Sequence, residues 1–317
     1  MSLRKAKNIS GKTPALPSQK PFSCMELESW RGICFWMPPT DERLQHLFEG
    51  SADCQEQENV YTPPLDNLEG MRHYWNEHPE WMEMLDPNSP VYEDKILERD
   101  LYMNFWGSYI SPSSRILDIG CGVGRMSQYF LEMGCEVEML DPDLRSLWRA
   151  LQMSIGLSGH VDIHWATGES MPEIAPVDIA VACEVLNYVE NPNVIIENIW
   201  SVLKDEGILL LSVEARWGWV FSRDVAENTI DAFLDDGIVH VEKDRWIRTY
   251  TKEDICDLLK DFHILHIRPS HYVLSGPFEM ATGKVDLYQA LELEDKLRQH
   301  PIAKDLNRAW MVVAQKK

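Results

Sequence analysis

Ile116-Leu117-Asp118-Ile119-Gly120-Cys121-Gly122-Val123-Gly124 is the stretch that decides the fold. An apolar run ends in three glycines at alternate positions, and a helical pattern follows over 125–133. Without side chains at Gly120 and Gly122 the backbone can come close to a ligand and can take unusual dihedrals. The following helix would offer its unpaired amides and the positive end of its dipole to a carboxylate or phosphate.

Further along the chain, short apolar runs at 136–140, 161–165, 177–183 and 207–213 alternate with helical stretches at 144–155 and 193–203. Such alternation predicts a parallel sheet with right-handed crossover helices. The texture then changes. Segment 215–250 carries Trp217, Trp219, Phe221, Phe233, Trp246 and Tyr250 among many charges, and reads as an inserted cap. Thr251, three residues before Asp254, has capping-box spacing and opens a helix at 251–259. A sixth strand at 262–267, a helix at 284–298 and a last strand at 309–314 complete the pattern. Upstream, 22–112 is rich in Trp, Met, Pro and acids, has helical spacing at 92–109, and is expected to form a helical lid region. Residues 1–21 hold Arg4, Lys5, Lys7, Lys12 and Lys20 and no acid, and are expected to be a disordered tail.

The net charge of −21 over 317 residues argues against a partner covered in phosphates. Nucleic acid and membrane are therefore not expected partners, and a neutral or cationic small molecule suits the charge better. The oligomeric state is left open. The seven cysteines show no C-x-x-C pairing, so neither a disulfide framework nor a zinc site is expected. Free thiols such as Cys121 and Cys183 suit a reducing compartment, and a cytoplasmic location is expected. No apolar run is long enough to span a bilayer.

The spacing of the loop limits its ligand. A dinucleotide fingerprint G-x-G-x-x-G would need glycine at Arg125, whereas the chain has G-x-G-x-G. Asp141 ends the next strand, where a carboxylate can accept hydrogen bonds from both ribose hydroxyls of an adenosine ligand. It can equally cap the helix beginning at Leu144, as can Asp143, and the two roles are compatible.

With these features the chain resembles the class I S-adenosylmethionine-dependent methyltransferases, particularly the small-molecule branch that includes the ubiquinone-biosynthesis enzymes. The match runs over 113–211 and more loosely to the end of the chain. Its motifs are Ile116 to Gly124, Asp141, the fourth-strand run Val177-Asp178-Ile179-Ala180-Val181-Ala182-Cys183-Glu184-Val185-Leu186-Asn187-Tyr188, and the turn Leu203-Lys204-Asp205-Glu206-Gly207 into strand five. The resemblance implies a doubly wound α/β fold: a seven-stranded, mostly parallel sheet with an antiparallel last strand, as a core at 113–317. Its ligand would sit at the carboxyl ends of the strands.

S-adenosylmethionine is the implied cofactor. Asp118, Gly120, Cys121, Gly122 and Gly124 are expected to hold its methionine end, with Cys183 and Glu184 nearby. Asp141 and Pro142 are expected at the ribose and Thr167, Gly168 and Glu169 at the adenine, where the family's usual Asp is missing. Tyr74, between His73 and Trp75, would offer an aromatic face from the lid. Tyr188 stands where the family often has a histidine base. His240 and His271-Tyr272 are further candidates for the acceptor wall, so Tyr188, His240 and His271 form the expected catalytic set. No metal is expected.

The expected activity is methylation of a small molecule at oxygen or nitrogen rather than carbon. Competing readings are a nicotinamide-dependent oxidoreductase on the same sheet, a non-catalytic partner subunit, and a protein methyltransferase.

Overall fold

The computed structural model describes residues 81–221, 230–241 and 245–317. The expected tail, most of the lid region and Tyr74 lie outside the described residues. Helix α1 (Tyr92–Trp106) precedes β1 (Arg115–Ile119), α2 (Arg125–Glu132), β2 (Glu136–Asp141), α3 (Leu144–Ser154), β3 (His160–Trp165) and β4 (Val177–Cys183). Then come α4 (Pro192–Val202) and β5 (Leu203–Glu214). After an excursion from the sheet follow α5 (Ile230–Asp236), β6 (Ile238–Val241), β7 (Arg245–Arg248), α6 (Lys252–Leu258), β8 (Phe262–Ser270), α7 (Glu279–Thr282), α8 (Leu287–Gln299) and β9 (Ala309–Lys316).

Seven strands form one sheet in the order β3-β2-β1-β4-β5-β9-β8. β1 to β5 run parallel, while β9 is antiparallel to both β5 and β8. The chain moves outward from β1 to β2 and β3, then restarts on the other side with β4. In this kind of sheet a crevice opens where the strand order reverses. Ile119 pairs with Ala182, so Gly120 leaves the sheet beside Cys183, the last residue of β4, at that point.

Alternating strand residues feed two cores, as a period of two requires. Ile116, Val137, Met139 and Val181 pack with Tyr102 and Trp106 of α1, Phe130 of α2 and Trp148 of α3. Leu117, Ile119, Leu140, Ala180 and Ala182 pack on the other face with Ile195 and Ile199 of α4 and Ile255 of α6. A hydrogen substitutes for Cβ at Gly124 for a packing reason: with φ +87, a side chain there would come within 3.1 Å of Ala150 Cβ on α3.

Between β5 and α6 the chain leaves the sheet and returns beside its point of departure. Tyr250 N–H donates to Glu214 O at 2.8 Å and Arg216 N–H to Tyr250 O at 3.1 Å. Within this excursion a 3₁₀ turn (Arg216–Phe221), α5 and the β6–β7 hairpin surround a small core of Trp219, Phe233, Val239 and Ile247, with Tyr188 packed against it.

The expected capping box is present, with Thr251 and Asp254 bonding each other's backbone amides. The expected helix at 284–298 instead begins at Leu287, where Asp286 and Gln289 make a second capping box. The expected helix at 92–109 is α-helical to Trp106 and ends in a 3₁₀ turn, Gly107–Tyr109. β5 begins at Leu203 rather than 207: Leu203 pairs with Val177, the register then shifts, and regular pairing resumes at Ile208.

Candidate active site

A cavity of about 650 Å³ opens at the carboxyl ends of β1, β4 and β5. Gly120, Cys121 and Gly122 form one side, with Asp118 beneath. At Gly120 (φ +63) a Cβ would meet Val185 Cγ2 at 2.5 Å, so a side chain there would strain the backbone and displace Val185. Gly122 (φ +53) differs: a Cβ would meet nothing within 4 Å. The missing side chain leaves open space on the cavity wall, which is the cradle an extended ligand needs.

Asp141 is 3% exposed and fastens this loop. Its Oδ2 accepts from Gly122 N–H at 2.8 Å and its Oδ1 from Asp143 N–H at 2.8 Å. Asp143 in turn caps α3, accepting from Ser146 N–H. Asp118, equally buried, accepts from the Ser127 hydroxyl of α2. Burial pushes both carboxyls up to about 7; for Asp118 the Ser127 and Arg125 interactions oppose this, and for Asp141 the bonds from Asp143 and Gly122 do.

An ion network crosses the cavity floor. Arg125 reaches Glu98 Oε2 at 2.5 Å and Glu184 Oε2 at 3.0 Å. Glu98 also accepts from Lys95 at 2.7 Å and from the Ser275 hydroxyl at 2.6 Å. Tyr102 donates to Glu184 Oε1 at 2.9 Å. Burial alone would raise both glutamates. For Glu98 the charges of Lys95, Arg125 and His271 outweigh it and hold the carboxyl well below its usual range. For Glu184, Arg125, Lys95 and His271 likewise prevail over burial and over repulsion from Glu98.

Glu184 has φ +60 and His271 φ +59, in the left-handed region that side chains disfavour by about 1–2 kcal/mol. Each is clamped. Glu184 N–H donates to Ser212 Oγ at 3.0 Å, and the buried Glu294 accepts from the amides of Tyr272 and Val273 at 2.7 and 3.0 Å. Strain maintained in this way clusters at functional sites.

The far wall carries Glu214, Gly218, Trp219, Ile247, Tyr188 and Arg308. Arg308 lies over the Trp219 ring, 3.5 Å from its centroid, and its Nε contacts Glu214 Oε2 at 2.6 Å.

The expected residues divide accordingly. Asp118, Gly120, Cys121, Gly122, Cys183, Glu184, Tyr188 and His271 all line the cavity. Gly124, Asp141 and Pro142 do not; they shape the loop and the end of β2, with Pro142 O accepting from Trp165 Nε1. Thr167 is buried and accepts from Ser170 N–H, while Asn198 of α4 donates to the carbonyls of Gly168 and Glu169. Burial raises the pKa of Glu169. His240 is exposed on β6 and lies away from the cavity. His271 is 1% exposed, and neither ring nitrogen has a partner among the described residues or reaches solvent. Burial lowers its pKa despite nearby Glu98, Glu184 and Glu294. Glu98, Arg125, Glu214 and Arg308 were not singled out as site residues from the sequence. No group of three or more His, Cys, Asp or Glu side chains suited to a metal occurs among the described residues.

A family model described as a methyltransferase domain matches residues 94–263. The chain belongs to the methyltransferase-domain family. It is an S-adenosylmethionine-dependent methyltransferase, and the nicotinamide reading is set aside. The chain is 28% identical over 203 residues to a ubiquinone biosynthesis O-methyltransferase of Xanthomonas campestris pv. campestris, covering 60% of this chain and 80% of that one. It is 30% identical over 118 residues to the tRNA 5-carboxymethoxyuridine methyltransferase of Escherichia coli, covering 36% and 45%. Among solved structures it is similar to an S-adenosylmethionine dependent methyltransferase from Mesorhizobium loti, with TM-score 0.49, 17% identity, and coverage of 69% and 100%. The residues present fit this methyl donor, because the Gly122 cradle and the clamped carboxylates meet at one cavity at the strand ends.

Proposed function

We propose that this methyltransferase acts on a small molecule, at oxygen or nitrogen, inside the cavity between the glycine loop and the Trp219 wall. The observation that carries the reading is continuity: Gly120 to Gly122 and the aromatic wall line one cavity of about 650 Å³. That volume lies in the range typical of small-ligand sites. Its acidic side chains support a neutral or cationic acceptor.

When bound, S-adenosylmethionine supplies a methyl group on a positively charged sulfur that is a good leaving group. Asp118, Gly120, Cys121, Gly122, Cys183 and Glu184 hold the methionine end in this proposal. Asp141 and Pro142 bind the ribose edge, and Thr167, Gly168 and Glu169 the adenine edge. Glu184, kept ionised by Arg125, complements the positive sulfur. Tyr188 and the wall formed by the excursion at 215–250 orient the acceptor, while α1 and the residues before it cover the opening through Trp81, Met84 and Lys95. Such alignment with exclusion of water can lower a barrier by roughly 7–11 kcal/mol.

Free Cys121, Cys135 and Cys183 support a reducing, cytoplasmic setting. Among the described residues no helix is long and apolar enough to cross a membrane.

Incubating the protein with methyl-labelled S-adenosylmethionine and a whole-cell extract tests the proposal. Label in a small-molecule fraction is expected. Label confined to RNA would move the assignment toward the tRNA-acting relative, and label confined to protein would also contradict it.

A further inference from the structure

We propose that Glu214 is the base that takes the acceptor's proton, which makes the substrate a protic nucleophile, a hydroxyl or N–H compound, rather than a carbon centre or tertiary amine. This rests on the methyl-transfer reading above and extends it.

Position comes first. Glu214 ends β5 and Glu184 follows β4, its neighbour in the sheet, so two carboxylates stand side by side at the strand ends where the cavity opens. Glu214 is preorganised at its backbone as well as at its side chain. Its N–H donates to Asn187 Oδ1 at 2.9 Å and its carbonyl accepts from Tyr250 N–H at 2.8 Å. Oε2 accepts from Trp219 Nε1 at 3.0 Å and from Arg308 Nε at 2.6 Å. Among the described residues Oε1 has only a 3.5 Å contact with Arg308 Nη2, which leaves it lone pairs for a proton from the cavity.

The two carboxylates are also driven apart electrically. Glu184 is held ionised, as described above. Glu214 is raised, first by burial and then by repulsion from Glu184, against the opposing charge of Arg308. Neighbouring carboxylates displaced in opposite directions are the arrangement by which enzymes separate an electrostatic partner from a proton acceptor. The charged groups acting on Glu214 are Arg308 before β9 and Glu184 after β4; Trp219 and Asn187 are neutral. His271 does not compete for the role, since neither of its ring nitrogens reaches solvent.

The step balances within the site. A lone pair on the acceptor heteroatom forms the bond to the methyl carbon, and the carbon–sulfur pair returns to sulfur, cancelling its positive charge. The acceptor's proton passes to Glu214 Oε1 and leaves to solvent with the product. A base at this point contributes about 100- to 10,000-fold.

The test uses the full chain, labelled S-adenosylmethionine and a protein-free small-molecule extract as the acceptor source, with label counted in the main product from pH 5 to 9. Glu214→Gln is expected to bind S-adenosylhomocysteine within about threefold of wild type, to lose roughly 100-fold or more of transfer, and to lose the acidic limb of the pH profile. Glu214→Asp should restore part of the rate together with that limb. Arg308→Gln retains the carboxylate but removes the charge that lowers its pKa, so the acidic limb should move to higher pH. Transfer by Glu214→Gln within threefold of wild type overturns the proposal, and so does a lower rate with the acidic limb unchanged. Failure of the wild type to label any small molecule would instead overturn the reading on which the proposal rests.

Discussion

The amide of Gly122 donates to the Asp141 carboxylate at 2.8 Å, so the end of β2 fastens the glycine loop that lines the cavity. Once ionised, above about 7, this carboxylate is a charged acceptor for two amides, worth about 1.5–3 kcal/mol per bond. Asp141→Asn retains the shape but loses the charge and part of this bonding. Its affinity for S-adenosylhomocysteine, measured by calorimetry, should fall about tenfold or more.

Asp118 and Asp141 both titrate near 7 in the folded protein, above the ordinary value of 3.8. A raised carboxyl favours the folded state at low pH, and this contribution is lost as pH rises from about 4 through 7. Asp118→Asn keeps an acceptor for Ser127 without the buried charge. Its Tm at pH 8 should exceed that of wild type by roughly 2–5 °C, with the difference shrinking toward pH 5. A mutant less stable than wild type at pH 8 would contradict this placement of charge.

Glu98 behaves oppositely. Its carboxyl lies below the ordinary value of 4.5, so its stabilisation is present above that pH and is lost as the pH falls below it. Removing one member of a buried ion cluster leaves the others uncompensated, at a cost of about 3–5 kcal/mol. Glu98→Gln should show this loss in urea unfolding at pH 7, and a smaller loss at pH 4.

Trp219 is buried in the excursion's core and lines the cavity, where the proposed function gives it the acceptor side. Trp219→Leu should raise the KM for the acceptor about tenfold or more, one lost aromatic contact and its neighbours being worth 1–3 kcal/mol. Affinity for S-adenosylhomocysteine should stay within threefold. A mutant that lost both equally would show that the wall serves the cofactor.

The sheet was legible because each strand is a short apolar run bounded by a turn or helix, and because Gly120, Gly122 and Asp141 mark the strand ends locally. The ion network was not. Glu98 and Arg125 are 27 positions apart, Arg125 and Glu184 59, and Glu214 and Arg308 94, so only the fold brings them together. Arg125 was conspicuous in the sequence only as the place where a dinucleotide fingerprint would need glycine. In the structure it is the cation joining α1 to β4. His240 and His271 were singled out by residue type, which carries no information about burial. One is exposed outside the cavity and the other sealed at its edge.

Binding of S-adenosylhomocysteine to wild type and Gly122→Val, followed by titration calorimetry, tests the central claim most directly. A Cβ at Gly122 meets no protein atom within 4 Å, so its main structural cost is the left-handed backbone, whereas it fills the space assigned to the ligand. The expected result is one site per chain in wild type and no measurable binding in a folded Gly122→Val. No binding by wild type, or equal binding by the two proteins, would contradict the assignment of the glycine cradle as the site of the methyl donor.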